Sequence, residues 1–121
     1  MMQVSSEFHF CAAHRLPNHP GLCKNLHGHN YKLVVHCEGD IEPSSGMVID
    51  FFTLQQVVTA HVLAHLDHTD LNERIPTPTA ENIAVWIWSA LAPHLPRLAE
   101  VQLFETHDCY VRYRREPGHV R

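Results

Sequence analysis

The spacing of the apolar residues changes twice along this chain of 121 residues, and the order of those changes limits the fold more than any other feature. Residues 3–10 and 29–38 alternate apolar with polar side chains, which predicts two half-buried strands. Apolar residues then recur at helical spacing over about 53–65 and again over 78–93. Alternation returns over 101–115, interrupted by a His-Asp pair that is typical of a turn. The predicted order is therefore strand, strand, helix, helix, strand, strand.

Local sequences mark the ends of these elements. The sequence EPSSG at 42–46 predicts a turn after the second strand. Thr79 can cap the second helix, Glu81 complements the positive end of its dipole, and Pro93 ends it. No repeat, linker or low-complexity segment interrupts the pattern, so we expect one domain over residues 1–121.

This order of elements predicts an α+β fold, ββααββ along the chain, with a four-stranded antiparallel sheet and two helices on one of its faces. A chain of 121 residues can build one apolar core but not two. A sheet this small has open edges, and oligomerisation is one way to close them.

Charge and composition argue against two classes of partner. The formal net charge of -4 leaves no general positive field, and the one basic cluster, RYRRE, alternates along a predicted strand, so we expect no nucleic-acid partner. No apolar run approaches the roughly 20 residues that span a bilayer, and the N-terminal sequence MMQVSSEFHF does not resemble a signal peptide. We therefore expect a soluble cytoplasmic protein that does not act at a membrane.

The 12 histidines point to metal or proton chemistry. His27 and His29 stand two apart in GLCKNLHGHNYK; if this segment is extended, their side chains share one face, about 7 Å apart along the strand. His14, just past the first predicted strand, can supply a third ligand from the neighbouring strand. Three imidazoles with an open fourth position are typical of a catalytic rather than a structural zinc site.

Two other interpretations of the histidines stay open at this point. The three can be ordinary surface or hydrogen-bonded residues, because a motif as short as H-x-H often occurs without a metal. A competing metal cluster is formed by His61, His65 and His68, which fall on nearly one helical face but have no carboxylate in the pattern.

The four cysteines are widely separated and share no C-x-x-C spacing, so we expect reduced thiols and no zinc ribbon. Three of them, Cys11, Cys37 and Cys109, are expected to act as small buried apolar residues. Cys23 differs because it lies in a polar loop, four residues before His27, where a metal and a neighbouring lysine can stabilise a thiolate. It is either a reactive thiol or another small apolar side chain.

Six motifs occur in one order along nearly the whole chain: AAHRLP, C-x3-HGH, VIDF, LDHTDLN, PTAEN before an aromatic helix, and a late strand that ends in FET. Together they resemble the 6-pyruvoyl-tetrahydropterin synthase superfamily. The short interval between Cys23 and HGH is more similar to its bacterial branch, 6-carboxy-tetrahydropterin synthase, than to the animal-type enzyme, whose interval is longer. The resemblance implies the tunnelling fold, or T-fold, in which antiparallel sheets of several subunits join into a barrel with active sites between subunits.

The resemblance also implies a metal centre and a catalytic group. The implied zinc ligands are His14, His27 and His29. Cys23 matches the catalytic thiol, and Asp67 and His68 match its acid/base partners. Neighbours in a chain seldom face each other well, so Asp67 can instead orient a group elsewhere in the assembly. Its position at a helix end is unfavourable for the helix dipole, which indicates a use beyond stability.

Two further side chains are implied to contact the substrate. Glu105 matches the pterin anchor, since a carboxylate can accept two parallel hydrogen bonds from the amino-pyrimidine edge of a pterin. Thr79 is an additional substrate contact, and this role is compatible with capping a helix.

The implied activity is a zinc-dependent lyase. Its substrate is 7,8-dihydroneopterin triphosphate, whose two neighbouring hydroxyls zinc can polarise, so that protons leave the adjacent carbons more easily. The implied products are 6-carboxy-5,6,7,8-tetrahydropterin, triphosphate and acetaldehyde, on the 7-deazaguanine route to queuosine. The implied assembly is a homo-hexamer, a dimer of trimers.

Two alternative functions are compatible with the same sequence. The first is formation of 6-pyruvoyl-tetrahydropterin, which shares the early steps and stops before carbon-carbon cleavage. The second is a histidine-rich metal-binding protein without catalysis, for which Cys23, Asp67 and Glu105 would be dispensable.

Overall fold

A five-stranded sheet forms one layer of the fold in the computed structural model, which describes residues 1–115. In chain order its strands are β1 (Met2–His14), β2 (His27–Gly39), β3 (Thr69–Asp70), β4 (Leu98–Thr106) and β5 (Cys109–Arg114). Across the sheet the order is β3-β1-β2-β4-β5. Residues 116–121, the last part of the domain expected over 1–121, lie outside the described residues.

The prediction of a four-stranded antiparallel sheet in the order ββααββ is wrong in one respect. The four predicted strands are present, and they pair antiparallel as β1 with β2, β2 with β4, and β4 with β5. A fifth strand, β3, lies between the two helices in sequence and pairs parallel with Ala12 and Ala13 of β1, which makes the sheet mixed. A strand of two residues shows no alternation, so periodicity cannot reveal it. The α+β class is confirmed.

Two helical segments cross the sheet. The first consists of α1 (Phe51–Val58), a π-helical turn (Thr59–Leu63) and α2 (Ala64–Leu66), and the second is α3 (Ala80–Leu91). Side-chain caps fix both starts: Asp50 accepts a hydrogen bond from Phe52 N at 2.8 Å, and Thr79 accepts one from Asn82 N at 3.2 Å. No helix within the described part of the chain is long and apolar enough to cross a membrane.

The core lies between the two helical segments and one face of the sheet. Buried side chains from both layers form one cluster, which includes Leu54, Leu66, Ile83, Ile87, Leu91, Phe10, Leu33, Val101 and Leu103. Both helical segments therefore cover the same face, as expected. Because side chains alternate along a strand, the other face carries the residues between these positions.

That other face is polar and carries Arg112 and Arg114, two residues of the basic cluster RYRRE. Glu100 is 3% exposed and accepts hydrogen bonds from Arg112 Nε at 3.0 Å and Arg112 Nη2 at 3.1 Å. Arg114 Nε lies 3.6 Å from the same carboxylate. These arginines therefore pair with a buried carboxylate across neighbouring strands, which is a common structural use of the guanidinium group.

None of the four cysteines forms a disulfide within residues 1–115, and two of them are exposed. Cys37 is in the core, whereas Cys11 and Cys109 are exposed, which corrects the prediction for those two. Cys11 alternates with Phe10, whose ring faces the helices, so its thiol points to the polar face, where it donates to Asn30 Oδ1 at 2.9 Å.

Candidate functional site

Three imidazoles meet where β1 ends and β2 begins. The antiparallel register pairs His14 with His27 and Ala12 with His29, so the three histidines share one face of the sheet. β1 continues to His14, beyond its predicted end at residue 10, and this extension brings His14 directly opposite His27. One nitrogen from each ring lies within 4.8 Å of the other two. The structure thus brings together the three side chains that the sequence suggested as ligands.

Main-chain carbonyls fix the tautomers of two of these rings. His14 Nδ1 lies 2.7 Å from Pro78 O, and His27 Nδ1 lies 2.8 Å from Asn25 O. A carbonyl oxygen only accepts hydrogen bonds, so both Nδ1 atoms carry the proton and both Nε2 atoms present a lone pair. The two Nε2 atoms are 3.1 Å apart, and neutral rings in these tautomers cannot hydrogen-bond to each other there. An ion bound tetrahedrally through bonds of about 2.0–2.1 Å separates its ligand nitrogens by a similar distance, about 3.3 Å.

The third ring, His29, has an unsatisfied nitrogen. His29 Nε2 is buried and has no hydrogen-bond partner among the described residues. Burial lowers the pKa of His29; the Glu105 carboxylate opposes this shift, and His14 and His27 add to it. The neutral ring is therefore favoured. Three converging imidazole nitrogens, one of them buried without a partner, fit a divalent metal ion that keeps a fourth position open.

A carboxylate faces this cluster from β4. Glu105 Oε1 lies 3.5 Å from His14 Nε2 and 3.9 Å from His29 Nε2, and the side chain is 30% exposed. Glu105 follows Leu103 at period two, so alternation turns it to the helix-covered face. The pairing of β4 with β5 is irregular between Phe104 and Thr106, a type of bulge that often re-aims a side chain beside a functional site.

Tyr31 lies beneath the imidazoles and was not recognised as a site residue from the sequence. It is fully buried, its ring stacks on Phe10 at 4.9 Å, and its hydroxyl is 3.5 Å from His14 Nδ1. Burial, and to a lesser degree Glu105, raises the pKa of Tyr31, so the hydroxyl stays protonated. The sequence did contain a signal for Tyr31, because it continues the alternation of His27 and His29 and so lies on the same face of the strand.

Cys23 lies in the loop that β1 and β2 close. It belongs to a short 3-10 turn, Leu22–Lys24, and its carbonyl accepts a hydrogen bond from Leu16 N at 2.8 Å. Its side chain is half-buried. Because His14 and His27 pair at the two ends of this loop, the thiol belongs to the segment that directly joins two of the three imidazoles.

Asp67 and His68 contact each other, which differs from the expectation for neighbours in a chain. Asp67 Oδ1 is 3.0 Å from His68 Nδ1, and the contact depends on a left-handed backbone at His68, where φ is 60°. Both residues are attached to β1, because Cys11 N donates to Asp67 Oδ1 at 2.9 Å and His68 N donates to Cys11 O at 2.6 Å. A positive φ in a residue other than glycine is uncommon and is often found at functional sites.

His68 and one of the three imidazoles, His29, line the same groove. This groove has a volume of about 510 Å³, and Cys11, Asn30 and His68 are among its lining residues. His68 is 80% exposed, and within residues 1–115 no hydrogen bond or ion pair joins it to the three imidazoles. The structure therefore places His68 and His29 on one groove without a direct hydrogen bond or ion pair between the two rings.

Thr79 lies at the start of α3, beside the β1–β2 loop. Its hydroxyl caps α3, and the residue lines a cavity of about 260 Å³ between the β1–β2 loop and residues 76–79. Glu105 does not line that cavity. Among the described residues, this cavity thus contains Thr79 but not Glu105.

The competing cluster of His61, His65 and His68 does not form in the described part of the chain. His61 stacks on His94 with ring centroids 3.7 Å apart, and His65 lies edge-on to Trp86. Among residues 1–115, the imidazoles of β1 and β2 are the one group of three or more His, Cys, Asp or Glu side chains with metal-ligand spacing.

Comparison with known proteins assigns the chain to a family. The family described as 6-pyruvoyl tetrahydropterin synthase matches residues 3–116. The chain belongs to this family. The resemblance inferred from six motifs is confirmed, and so is the prediction of an enzyme, a lyase of this kind.

Individual members of the 6-pyruvoyl tetrahydropterin synthase family match over nearly the whole chain. The Synechocystis protein named 6-carboxy-5,6,7,8-tetrahydropterin synthase is 38% identical, over 93% of this chain and 93% of its own length. The human protein named 6-pyruvoyl tetrahydrobiopterin synthase is 36% identical, over 94% of this chain and 92% of its own. The structure of Caenorhabditis elegans 6-pyruvoyl tetrahydropterin synthase superposes with a TM-score of 0.86 at 28% identity and covers 93% of this chain and 94% of the nematode chain.

Proposed function

We propose that this enzyme converts 7,8-dihydroneopterin triphosphate to 6-carboxy-5,6,7,8-tetrahydropterin, triphosphate and acetaldehyde, with a zinc ion held by His14, His27 and His29. The observation that carries the proposal is the convergence of three imidazole nitrogens beside a carboxylate in a chain of this family. Relatives named for this product, from Synechocystis and Haemophilus influenzae, each match 93% of the chain and support it. One water is consumed and supplies the second oxygen of the new carboxylate. The product belongs to the 7-deazaguanine route to queuosine, and we place the reaction in the cytoplasm.

The chain's own residues divide the proton transfers between them. Zinc, when bound, polarises the two side-chain hydroxyls of the substrate and so makes the neighbouring carbons more acidic. Cys23, four residues before His27, removes a proton from the side-chain carbon beside the pterin ring. His68 returns or relays protons near neutral pH, and Asp67 orients its ring through the 3.0 Å contact.

Glu105 is proposed to hold the pterin ring. Its carboxylate faces the imidazoles and is still 30% exposed, so one side remains accessible to a ligand. A carboxylate accepts two parallel hydrogen bonds from an amino-pyrimidine edge in the geometry it uses with a guanidinium group. Thr79 is proposed as an additional substrate contact at the start of α3.

We expect Glu105→Ala to weaken the binding of a non-reacting pterin by about 1.5–3 kcal/mol, the typical value of hydrogen bonds to a charged group. Zinc content should stay at one ion per chain, because Glu105 is not one of the three clustered ligands. Calorimetric titration and metal analysis of the same sample test both statements. Asp108→Ala, which removes an exposed carboxylate of the adjacent turn, is the matched control. Pterin binding equal to that of the parent would place the substrate elsewhere.

The sheet edges support an oligomeric enzyme. β3 covers the outer edge of β1 only at Ala12 and Ala13, and within residues 1–115 the outer edge of β5 has no partner strand. Three successive antiparallel pairings make β5 antiparallel to β1. The β5 edge of one copy can therefore add to the β1 edge of the next and continue the antiparallel sheet into a closed ring. We propose a homo-hexamer made of two such trimeric rings.

A ring of this kind also brings Asp67 and His68 to a subunit boundary, since both are attached to the β1 edge through Cys11. We expect the mass in solution to equal six chains. We also expect Cys23→Ala and His68→Ala to be inactive separately and to recover part of the activity when they are unfolded and refolded together. A fully active monomer would contradict the shared site.

The function is tested by incubating purified zinc-loaded protein with 7,8-dihydroneopterin triphosphate and identifying the products by mass spectrometry. 6-Carboxytetrahydropterin together with acetaldehyde is the expected result. The 36% identity to the human 6-pyruvoyl tetrahydrobiopterin synthase favours a second candidate, 6-pyruvoyl-tetrahydropterin, which would form without acetaldehyde. No turnover, together with metal binding that needs none of Cys23, Asp67 and Glu105, would instead indicate a histidine-rich metal-binding protein.

A further inference from the structure

The carbonyl that orients His14 belongs to a short turn before α3. His14 Nδ1 donates to Pro78 O at 2.7 Å. The direction of that carbonyl is tied to Thr79 N, because the C=O and N–H of one peptide lie in one plane and point opposite ways. Thr79 N donates to Thr77 O at 2.9 Å, which forms a three-residue γ-turn around Pro78. Proline suits the centre of such a turn, since its ring fixes φ near the required value.

Asn82, which lies in the first turn of α3, holds this turn from the other side. Its side-chain Nδ2 donates to Thr77 O at 2.8 Å, and its backbone N donates to Thr79 Oγ1 at 3.2 Å. Thr77 O therefore accepts two hydrogen bonds, and a rotation of its peptide would break both. The hydrogen bonds form one line from Asn82 through Thr77 and the Pro78–Thr79 peptide to His14. Because two donors share the Thr77 oxygen, Asn82 acts on this line by fixing the position of the acceptor.

We propose that Asn82 is a positioning residue for the metal centre. It fixes the Pro78 carbonyl, and this carbonyl keeps the proton of His14 on Nδ1, so that the Nε2 lone pair faces the other two imidazoles. Groups that bind a ligand rather than the metal typically change metal affinity by about 10–100-fold. Asn82 itself is exposed, so its replacement leaves the apolar core unchanged. The inference rests on the proposed metal binding and is independent of substrate and product.

Asn82→Asp separates the positioning role from helix stability. Aspartate has nearly the same shape, and its charge at the start of α3 favours the helix. It has no Nδ2 donor, however, and it turns an acceptor oxygen toward Thr77 O. We expect the zinc Kd, measured by competition with a chelator, to rise by up to about 10-fold, the lower end of the range for direct partners of a ligand, because Asn82 reaches His14 only through Thr77 and Pro78. The visible spectrum of the Co(II)-substituted protein should also change, while Tm stays within a few degrees of the parent.

Two further variants make the result decisive. Thr79→Ala removes the capping hydroxyl and weakens the same helix end, but it keeps the bond from Asn82 Nδ2 to Thr77 O; its zinc Kd should stay close to that of the parent. An equal loss of affinity in Thr79→Ala and Asn82→Asp would overturn the proposal in favour of helix destabilisation. His14→Ala tests the metal assignment separately from the positioning role of Asn82. Retained zinc in His14→Ala means that the metal assignment fails. Lost zinc there, with parent affinity and cobalt spectrum in Asn82→Asp, refutes only the positioning role.

Discussion

Replacing His27 or His29 by alanine is expected to reduce bound zinc from one ion per chain to nearly none, and turnover with it. Each substitution removes one of only three protein ligands and leaves the other two lone pairs in a half-buried site. His29→Ala should also relieve an unsatisfied buried nitrogen in the metal-free chain. We therefore expect metal-free His29→Ala to fold at least as well as the metal-free parent. Loss of zinc from this variant then cannot be attributed to unfolding.

Zinc analysis after dialysis, with Tm measured in the presence and absence of zinc, tests this expectation. Zinc should raise the Tm of the parent and leave both variants unchanged, because only a ligand that binds the folded state stabilises it. His61→Ala and His65→Ala are matched controls, since these imidazoles contact His94 and Trp86 instead of each other. Full zinc in the variants of His27 and His29 would refute the site.

The fold was predictable where a side-chain period extends over several residues. Each of the four long strands and both helical segments carries such a period, and Asp50 and Thr79 cap helices through the hydrogen bonds that their residue types favour. β3 was missed because Thr69–Asp70 is too short to show a period, and its pairing with β1 depends on tertiary structure. The exposure of Cys11 was missed because the predicted strand ended at residue 10, so the alternation that turns Phe10 inward was not extended to its neighbour.

The candidate site was predictable to the extent that it is made of side chains at fixed spacing. His27 and His29 share a face because a strand has period two, and His14 joins them through the register of a long hairpin. Pro78 and Asn25 could not be found in this way, because they act through main-chain carbonyls that any residue type carries. The contact between Asp67 and His68 depends on one positive φ angle, which residue type alone does not indicate.

Cys23→Ala is expected to lower turnover by a factor on the order of 10²–10⁴, the usual contribution of a positioned acid or base. Folding and zinc content should be unchanged, because Cys23 is a half-buried residue of an otherwise exposed 3-10 turn outside the core cluster and is not one of the three clustered ligands. The turn is attached to β1 through the Cys23 carbonyl, a main-chain group that alanine retains. Binding of a non-reacting pterin should also stay close to that of the parent, so the loss falls on kcat rather than on KM.

Cys23→Ser makes the same comparison more stringent, since it keeps the size and polarity of the side chain but not the readily ionised thiol. If proton abstraction by the thiolate is what Cys23 provides, serine should be nearly as slow as alanine. Cys109→Ala, which removes an exposed thiol from β5, controls for general effects of cysteine replacement and should turn over like the parent. Steady-state rates of the three variants, measured on samples with equal zinc content, decide the matter. Normal turnover in Cys23→Ala would reduce the thiol to a loop residue and leave the proposed proton abstraction without a base.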